Sequence, residues 1–438
     1  MKTAILGCGL TGLTIGHLLK KKGLEFKIFE KEKNCGGLMR TLKQSGFTFD
    51  YGGSHVLFSK DKEALSFLLV LLGNNKLERR RNTKILYKGR YVKYPFENDL
   101  AALSEKENFE CLYGFVQNLI NRQTGERVEP KNLKDWFYCT FGEGIAEKYL
   151  IPYNEKIWKY SLDEMTSEWV NRIPNPPLED IIKSSLGIET EGYVHQLNFN
   201  YPAYDGIQSI INQLVDSISK RVLENFQIRK VSREGSEWII SDGEHQESCD
   251  QIISTIPVNE LIEAMSSPRE VKEAANSLKY NSLICVMIGL NISKINDFSW
   301  LYIPDSDIIT HRVSFPSNYS PHVTPSGMSS VLAEVTCPPQ SKIWKMSDQE
   351  LVDWVIDDLS RLKILDKKHV CFSTIRKTKY AYVIHDLNYI KNIGTIQKFL
   401  VQEDIDTIGR FGEFRYLNMD GCVRRAIEYV ESFALRNN

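Results

Sequence analysis

The sequence TAILGCGLTG at residues 3–12 decides the fold, because it joins a short apolar strand directly to a G-x-G-x-x-G motif. The amphipathic residues 13–22 that follow predict a helix, and residues 26–29 (FKIF) predict a second strand that ends at Glu30. A strand, a glycine turn, a helix and a strand in this order are typical of a dinucleotide-binding βαβ unit.

Each glycine of this motif has its own physical reason. Gly7 permits the tight turn, Gly9 lets the backbone approach a pyrophosphate, and Gly12 lets the helix pack closely on the strand. The helix start faces the phosphates with free N–H groups, and Glu30, 18 residues after Gly12, can accept a hydrogen bond from a ribose hydroxyl. The predicted cofactor contacts of this unit are Gly7, Gly9, Leu10, Thr11, Gly12 and Glu30.

Two glycine pairs follow the motif, in GGLMRT at residues 36–41 and in FDYGGSH at residues 49–55. Glycine pairs also serve ordinary turns, which is the alternative interpretation. The succession of an acid, Gly-Gly, Arg-Thr and Asp-x-Gly-Gly-x-His resembles the flavoproteins that include amine oxidases, protoporphyrinogen oxidases and UDP-galactopyranose mutases. In those proteins the glycine turns lie along the FAD pyrophosphate and isoalloxazine. The resemblance implies FAD rather than NAD, with these further contacts: Lys31, Gly37, Leu38, Arg40, Gly53, Ser54 and His55.

The bulk composition excludes several classes of protein. At 438 residues, with 42% hydrophobic and 25% charged residues, the chain is long enough for two or three globular domains. Its formal net charge of −1 gives no reason to expect a nucleic-acid partner. The nine cysteines form no C-x-x-C pair, which argues against a disulfide framework and a metal site. A strand at the N-terminus leaves no room for a signal peptide, and no apolar run reaches the roughly 20 residues of a membrane span. We expect a soluble, cytoplasmic protein.

The pattern along the chain predicts an α/β fold in three parts. Residues 84–93 read as a hairpin, residues 100–150 have a helical period with Asn132 as a helix cap, residues 226–256 read as a strand meander, and residues 283–335 are rich in strands. In flavoproteins of this type such a meander returns the chain to the first domain. We expect a discontinuous Rossmann-like FAD-binding domain, an inserted helical domain and an antiparallel β-sheet substrate domain. Their boundaries are residues 1–78, 201–260 and 395–438; residues 97–190; and residues 79–96 and 261–394.

Five further segments resemble one family, the eukaryotic-type UDP-galactopyranose mutases. They are YPFEN at residues 94–98, FGEGIAE at 141–147 with IPYNEKIW at 151–158, EWVNR at 168–172, HRVSFPSNYS at 311–320 and GRFGEFRY at 409–416. Similarity of this kind extends from residue 3 to about residue 430. These segments are more specific than the nucleotide motif, which many folds share.

The resemblance implies that Arg172 and Arg312 bind the diphosphate of a nucleotide-sugar. Planar guanidinium groups suit this task because they bind phosphate oxygens bidentately. Tyr382 and Tyr416 match tyrosines that hydrogen-bond the same phosphates. The alternative is that the arginines form ordinary surface ion pairs and that the tyrosines are core residues with satisfied hydroxyls.

Further roles are implied by the same resemblance. His55 matches a histidine whose loop meets the flavin around N5, where we expect a positional role for the loop backbone rather than general-base catalysis; a plain loop histidine is the alternative. The remaining substrate contacts implied are Tyr94, Phe96, Glu97, Trp158 and Gln196. The remaining FAD contacts implied are Arg410, Asn418 and Asp420, in a loop one residue shorter than the family pattern.

Three departures from the family pattern concern the surroundings of the base and sugar. Glu97 stands where the family commonly has glutamine, Gln196 where asparagine is expected, and residues 204–206 (YDG) replace Arg-Gly-Gly. A buried carboxylate cannot donate a hydrogen bond as an amide does. The identity of the nucleobase is therefore open.

The function implied is that of an FAD-dependent nucleotide-sugar mutase. It interconverts pyranose and furanose forms, UDP-galactopyranose and UDP-galactofuranose first of all, through a reduced-flavin N5–sugar adduct, with NADPH or NADH as reductant. The alternatives are a flavin oxidase or dehydrogenase of the amine oxidase or protoporphyrinogen oxidase type, a mutase acting on a different nucleotide-sugar, and a flavoprotein that binds nucleotide-sugar without isomerising it. The oligomeric state is left open.

Overall fold

The computed structural model describes residues 2–124, 129–167, 170, 176–190, 197–218 and 220–436. The strands are β1 Thr3–Leu6, β2 Phe26–Phe29, β3 Thr41–Gln44, β4 Phe47–Asp50, β5 Leu77–Arg80, β6 Thr83–Tyr87, β7 Arg90–Lys93, β8 Asn198–Tyr201, β9 Val222–Leu223, β10 Lys230–Glu234, β11 Glu237–Ser241, β12 Gln246–Cys249, β13 Gln251–Ser254, β14 Lys279–Leu290, β15 Trp300–Tyr302, β16 Arg312–Ser314, β17 Ser329–Cys337, β18 Val370–Ile384 and β19 Ile405–Thr407. The helices are α1 Leu10–Lys21, α2 Lys62–Leu72, α3 Glu105–Gln123, α4 Leu133–Ile145, α5 Ile151–Trp158, α6 Leu178–Ser185, α7 Gln208–Ile218, α8 Val258–Ala264, α9 Arg269–Ser277, α10 Pro316–Tyr319, α11 Lys342–Lys345, α12 Asp348–Arg361, α13 Tyr389–Gln402 and α14 Met419–Arg436.

A five-stranded parallel sheet in the order β19-β13-β1-β2-β9 joins the beginning, middle and end of the chain. Its central strand β1 is buried along its whole length, which explains the unbroken apolar run in the sequence. Helices α7 and α14 pack against α1 on one face of this sheet. The predicted α/β fold with a Rossmann-like unit is therefore confirmed. The carboxyl ends of the strands meet at one edge, where such sheets bind ligands.

The residues predicted as one meander divide between two sheets. Strands β10, β11 and β12 form a separate antiparallel sheet, as expected. Strand β13, however, pairs parallel to β1 from Thr3↔Gln251 to Leu6↔Ser254 and belongs to the first sheet. The expectation of a single meander was wrong at this strand, because a buried run such as QIIS can pair in either direction.

A seven-stranded sheet in the order β18-β14-β17-β16-β15-β6-β7 forms the second large layer. All of its neighbours pair antiparallel except β15 and β6, which run parallel. The expectation of an antiparallel sheet therefore holds at all but one pair. Its inner strands place Arg312 of β16 directly opposite Glu334 of β17.

The helical region contains α3, α4 and α5, with a π-helical turn at Ala146–Leu150 between the last two. Asn132 caps α4 by accepting a hydrogen bond from the Asp135 amide at 2.8 Å, as the sequence predicted. Helices α3 and α4 come into backbone contact at Gly142, where a Cβ would lie 2.4 Å from the Gly114 carbonyl oxygen. The fold places this region beside the seven-stranded sheet, where Trp158 packs against Tyr382.

Candidate functional site

A cavity of about 1190 Å³ lies between the carboxyl edge of the parallel sheet and the seven-stranded sheet. It receives side chains or backbone from the first glycine motif, from both later glycine pairs and from the last loop before α14. The predicted site residues that line it are Gly7, Gly9, Leu10, Thr11, Glu30, Lys31, Gly37, Leu38, Arg40, Gly53, Ser54, His55, Arg312, Tyr382, Arg410, Tyr416, Asn418 and Asp420. The fold thus brings residues from distant parts of the sequence to one site.

One end of the cavity has the backbone shape of a pyrophosphate site. Gly7 has a φ of +99°, and α1 begins at Leu10 with no side-chain cap from Gly9. The N–H groups of the first turn therefore stay available to an anion. Gly37 lies on the opposite side with a φ of +55°, and a Cβ there would be in van der Waals contact with the Gly9 Cα at 3.4 Å. This glycine-rich surface, with the first turn of α1 beside it, fits the pyrophosphate of FAD.

Glu30 lies where a ribose contact was predicted, and its side chain is already well ordered. Its carboxylate accepts hydrogen bonds from the backbone amides of Cys8 and Glu32, both at 3.0 Å, and from Arg40 Nη2 at 3.3 Å. The Nε of Arg40 is buried and has no hydrogen-bond partner among the described residues. A buried donor of this kind at a cavity is satisfied when a ligand acceptor is bound.

Cys8 and Cys35 form a disulfide that joins the two glycine turns, with their Cα atoms 5.1 Å apart. The Gly36 amide also donates a hydrogen bond to the Cys8 carbonyl at 2.8 Å. The sequence argued against a disulfide framework and did not predict this single disulfide. Sequence spacing could not show this pair, because the βαβ fold itself brings residues 8 and 35 together.

His55 lies in the second glycine turn, after Gly53 with its φ of +103°. Its Nδ1 is 2.7 Å from the Gly53 carbonyl oxygen, which can only accept, so Nδ1 carries the proton. Burial, reinforced by the positive charge of Arg312, lowers the pKa of His55 to about 4. A neutral, fixed ring fits a positional role for this loop better than proton transfer at neutral pH.

Arg312 lies in the cavity wall and forms a bidentate ion pair with Glu334. Its Nε and Nη2 are 2.7 and 2.6 Å from the two carboxylate oxygens. The Arg312 side chain is 21% exposed and that of Glu334 is fully buried. Burial alone would lower the pKa of Arg312, but the adjoining carboxylate reverses this and raises the pKa well above its ordinary value. The guanidinium therefore stays charged, and among the described residues Nη1 has no hydrogen-bond partner, so both of its hydrogens can serve a ligand.

The cavity wall beside Arg312 is aromatic. The rings of Tyr382 and Tyr416 are stacked with centroids 6.1 Å apart, and Trp158 contacts both of them edge-on from behind. Trp158 itself is buried, and its Nε1 donates a hydrogen bond to Asn154 Oδ1. Trp158 thus supports the two predicted phosphate-binding tyrosines and does not line the cavity itself.

Arg410 and Asp420 fix the loop that ends at α14. Arg410 donates hydrogen bonds from Nε and Nη2 to the Ala381 carbonyl, at 3.2 and 2.6 Å, and from Nη1 to the Leu417 carbonyl. Its Cζ lies 4.3 Å from the centroid of the Tyr416 ring. Asp420 accepts a hydrogen bond from Ser59 Oγ. Both side chains are held by hydrogen bonds within the protein. They therefore order this part of the cavity wall, where contacts with FAD were predicted.

Four predicted substrate contacts and one predicted cofactor contact do not line the cavity. Tyr94 packs against Tyr302, which lines the cavity, with ring centroids 5.2 Å apart. Gly12 packs against the Gly7 turn. The predicted site residues that do not line the cavity are Gly12, Tyr94, Phe96, Glu97 and Trp158. Arg172 and Gln196 lie outside the described residues.

Several residues of the cavity wall carry no motif that predicted them. Trp300 and Tyr302 of β15 face the cavity, and the Trp300 indole N–H is buried without a partner in the described ranges. Tyr51 lies within the Asp-x-Gly-Gly segment, whose tyrosine could have been singled out. Arg376 of β18 also lines the cavity. The alternation of side chains between the two faces of β15 and β18 was the available signal. It does not show which face of the sheet lies toward the cavity.

Neither a metal site nor a membrane span is found in the part of the chain that the structure describes. No group of three or more His, Cys, Asp or Glu residues in the described ranges is arranged to bind a metal ion. None of the helices in those ranges combines the length and apolar character needed to cross a bilayer.

Comparison with known proteins identifies the relatives of this chain. Residues 10–383 match the family described as flavin containing amine oxidoreductase. Among solved structures, the chain is similar to a reduced UDP-galactopyranose mutase, with 25% identity and a TM-score of 0.89 over 99% of this chain and 95% of that one. It also shares its fold with a protein from Exiguobacterium sp. 255-15 provisionally named a protoporphyrinogen oxidase, with 17% identity and a TM-score of 0.77 over 99% of each chain.

A shorter match connects the chain with a curated protein of Staphylococcus aureus (strain COL). A 57-residue stretch is 47% identical to 4,4'-diapophytoene desaturase (4,4'-diaponeurosporene-forming). This stretch covers 13% of the present chain and 11% of the desaturase. The match spans about a tenth of the length of either protein, so it says nothing of the desaturase's substrate site.

Proposed function

Because this chain belongs to the flavin containing amine oxidoreductase family, we propose that it is an FAD-dependent mutase that interconverts the pyranose and furanose forms of a nucleotide-sugar. Family membership makes it a flavoenzyme with FAD as cofactor. Mutase activity is a more specific assignment than family membership. The similarity to a reduced UDP-galactopyranose mutase over 99% of the chain supports it. UDP-galactopyranose and UDP-galactofuranose are the first substrate pair to test.

One observation carries the proposal: a charged guanidinium, that of Arg312, lies in the cavity wall, and within the described part of the chain its Nη1 has no hydrogen-bond partner. A nucleoside diphosphate carries the negative charge that such a group binds. An amine or an apolar substrate that loses a hydride has no need of an arginine in the cavity wall beside it. Although Glu334 offsets the charge of Arg312, the N–H donors of Nη1 favour an anionic nucleotide-sugar over the substrates of an oxidase.

In this proposal the chain's own residues bind the diphosphate and stabilise it as it leaves the sugar. Arg312 contacts the phosphate oxygens through Nη1, and Tyr382 and Tyr416 donate hydrogen bonds from their hydroxyls. Burial raises the pKa of Tyr382 above its ordinary value, so its hydroxyl keeps its proton and can donate. Arg172 is proposed as a second cation on the same diphosphate. Positive charge fixed in advance stabilises a leaving anion without reorganisation.

The second glycine turn positions the cofactor in this proposal. Reduced FAD, when bound, supplies the electron-rich ring nitrogen that an isomerisation without net redox change requires. His55 stays neutral at physiological pH, and its ring fixes the Gly53 carbonyl by a hydrogen bond of 2.7 Å. The loop thereby presents its backbone in one conformation, which is the positional role assigned to it.

The proposal also includes a reductant, a cellular location and a nucleobase. The reductant is NADPH or NADH, and the protein acts in the cytoplasm on a nucleotide-sugar. Glu97 is buried and does not line the cavity, and it belongs to the segment proposed to lie near the base. Its carboxylate is the reason to test nucleotides other than UDP. The domain boundaries predicted from the sequence stay part of this proposal.

The activity is tested by incubating the dithionite-reduced holoprotein with UDP-, GDP- and dTDP-galactopyranose and separating the products by chromatography. The proposal expects a furanose product with at least one of them and none with the oxidised protein. Product only with a base other than uracil would assign a different nucleotide-sugar. No furanose with any of them, together with bleaching of oxidised flavin by an amine or a tetrapyrrole precursor, would establish an oxidase instead.

A further inference from the structure

Glu334 connects the two parts of the site that the proposed function uses separately. It lies opposite Arg312 across the β16–β17 pair, and its side chain is fully buried. Its Oε1 accepts hydrogen bonds from Arg312 Nε at 2.7 Å and also from the Ser54 backbone amide at 3.1 Å. One carboxylate therefore binds both the anion-binding arginine and the second glycine turn.

The contact with the glycine turn is close and leaves little freedom. A Cβ on Gly53 would lie 3.2 Å from Glu334 Oε2 and 3.4 Å from Arg312 Nη2. On the other side of the turn, Ser54 Oγ lies 3.0 Å from the Tyr319 hydroxyl, which donates a hydrogen bond to the Ser299 carbonyl at 3.0 Å. A shift of Glu334 therefore moves the Ser54 amide or breaks its hydrogen bond.

The same geometry makes the ion pair sensitive to a bound anion. Glu334 engages the Nε and Nη2 of Arg312, and an anion at Nη1 would compete with it for the same positive charge. When the interaction of a buried carboxylate with one charged partner weakens, the carboxylate depends more on the hydrogen bonds from its remaining donors. Here a remaining donor is the Ser54 amide. An anion at Arg312 therefore changes the hydrogen bonding of the glycine turn, and with it the interaction of the turn with a flavin beside it.

We propose that Glu334 is a positioning residue that couples anion binding at Arg312 to the redox state of the bound flavin. The inference rests on two parts of the proposed function, FAD bound in the cavity and an anion bound at Arg312. It does not require that the protein isomerises a sugar. Reduction converts an acceptor nitrogen of the flavin ring into an N–H donor, so the two redox states make different demands on the glycine turn. The coupling is reciprocal: the factor by which reduction changes anion affinity equals the factor by which the anion changes the reduction equilibrium.

The test uses the FAD-loaded protein with UDP as the anionic probe. The dissociation constant of UDP is measured for the oxidised and the reduced protein, and the flavin midpoint potential is measured with and without UDP. For the wild type we expect the two dissociation constants to differ at least tenfold, which corresponds to a potential shift of about 30 mV for a two-electron couple. In Glu334→Gln the difference should fall below threefold, because the amide is uncharged and its NH2 end cannot accept the hydrogen bond that Glu334 Oε2 accepts from Arg312 Nη2.

Asp358 provides a matched control. It is a buried carboxylate in the same part of the fold, it accepts hydrogen bonds from the Ile309 amide at 2.9 Å and from Arg361 at 3.2 Å, and it does not line the cavity. Asp358→Asn should leave the tenfold difference intact. This control separates coupling from a general loss of rigidity.

Glu334→Asp gives a second readout if the glutamine variant folds poorly. Its carboxylate can still neutralise Arg312 but is one methylene too short to reach Ser54 as well. We expect UDP affinity within threefold of the wild type in one redox state and loss of the difference between the states. The inference is overturned if either Glu334 variant keeps the full difference, or if UDP binds neither redox state of the wild type. Coupling without any sugar isomerisation would refute the proposed activity and leave the inference standing.

Discussion

Gly12 and Gly7 approach each other so closely that a Cβ on Gly12 would lie 2.1 Å from the Gly7 carbonyl oxygen. Because that oxygen belongs to the backbone of the first glycine turn, no rotamer change can relieve the overlap. We predict that Gly12→Ala distorts the turn and that the purified protein retains less than a tenth of its FAD, measured by flavin absorbance per chain.

Gly394 serves as the control for this substitution. It lies inside α13, and a Cβ there would meet no atom within 4 Å. Gly394→Ala should keep its flavin and gain about 0.5–1 kcal/mol in the free energy of unfolding, since alanine favours a helix. Full flavin content in Gly12→Ala would contradict the close approach described here.

The Cys8–Cys35 disulfide should stabilise the protein against unfolding. Closing a loop across a sequence separation of 27 residues predicts a contribution of about 3–4 kcal/mol. We expect Cys8→Ala/Cys35→Ala to lose stability of that order in urea unfolding and to release FAD faster. Cys249→Ala, a buried free cysteine, is the control. Mass spectrometry after alkylation should show two additional labels only after reduction, and their presence before reduction would rule out the bond.

His55 should make stability depend on pH below neutrality. Its pKa is about 4 in the folded protein, below the ordinary value of 6.5, so the unfolded chain binds more protons between these values. The contribution of His55 to the free energy of unfolding is therefore fully present above about pH 6.5. It is lost as the pH falls toward 4, at up to about 1.4 kcal/mol per pH unit for one proton. In His55→Gln this loss should be smaller, measured by urea unfolding at pH 7.5 and 4.5. Equal losses in both proteins would contradict a ring that stays neutral in the folded protein.

Arg410 should order the wall that carries Tyr416. Its guanidinium donates hydrogen bonds to the Ala381 and Leu417 carbonyls and lies over the Tyr416 ring. Arg410→Ala leaves those carbonyls without a charged donor, at about 1.5–3 kcal/mol for each hydrogen bond. We predict a lower melting temperature and UDP binding weakened at least tenfold. Arg415→Ala, at an exposed arginine of the same loop, should change neither quantity.

The parts of this site that depend on local sequence were predictable, and those that depend on long-range contacts were not. The G-x-G-x-x-G turn, the two glycine pairs and the Asn132 cap each need particular residue types at short spacing, so the sequence carries them directly. Glu334 lies 280 residues from Ser54, and nothing in the residues around it indicates the contact. Its role follows from the β16–β17 register alone.

Two other differences have the same origin. The disulfide joins Cys8 to Cys35 only because β1 and β2 are parallel neighbours, which brings the turns after both strands together. Trp158 was predicted as a substrate contact from its segment, but the segment's fold turns it behind Tyr382 and Tyr416. Which side of an aromatic wall a residue occupies depends on packing between distant strands and helices, and sequence spacing does not determine it.

The central claim is that Arg312 binds the diphosphate of a nucleotide-sugar, and turnover by Arg312→Ala tests it most directly. Steady-state assay of the reduced protein with its nucleotide-galactose should show kcat/KM lowered at least 100-fold, about 2.7 kcal/mol of lost transition-state stabilisation, while the flavin absorption spectrum stays unchanged. Arg361→Ala, an arginine paired with Asp358 away from the cavity, should turn over normally. Wild-type turnover by Arg312→Ala, or loss of its flavin, would contradict the account.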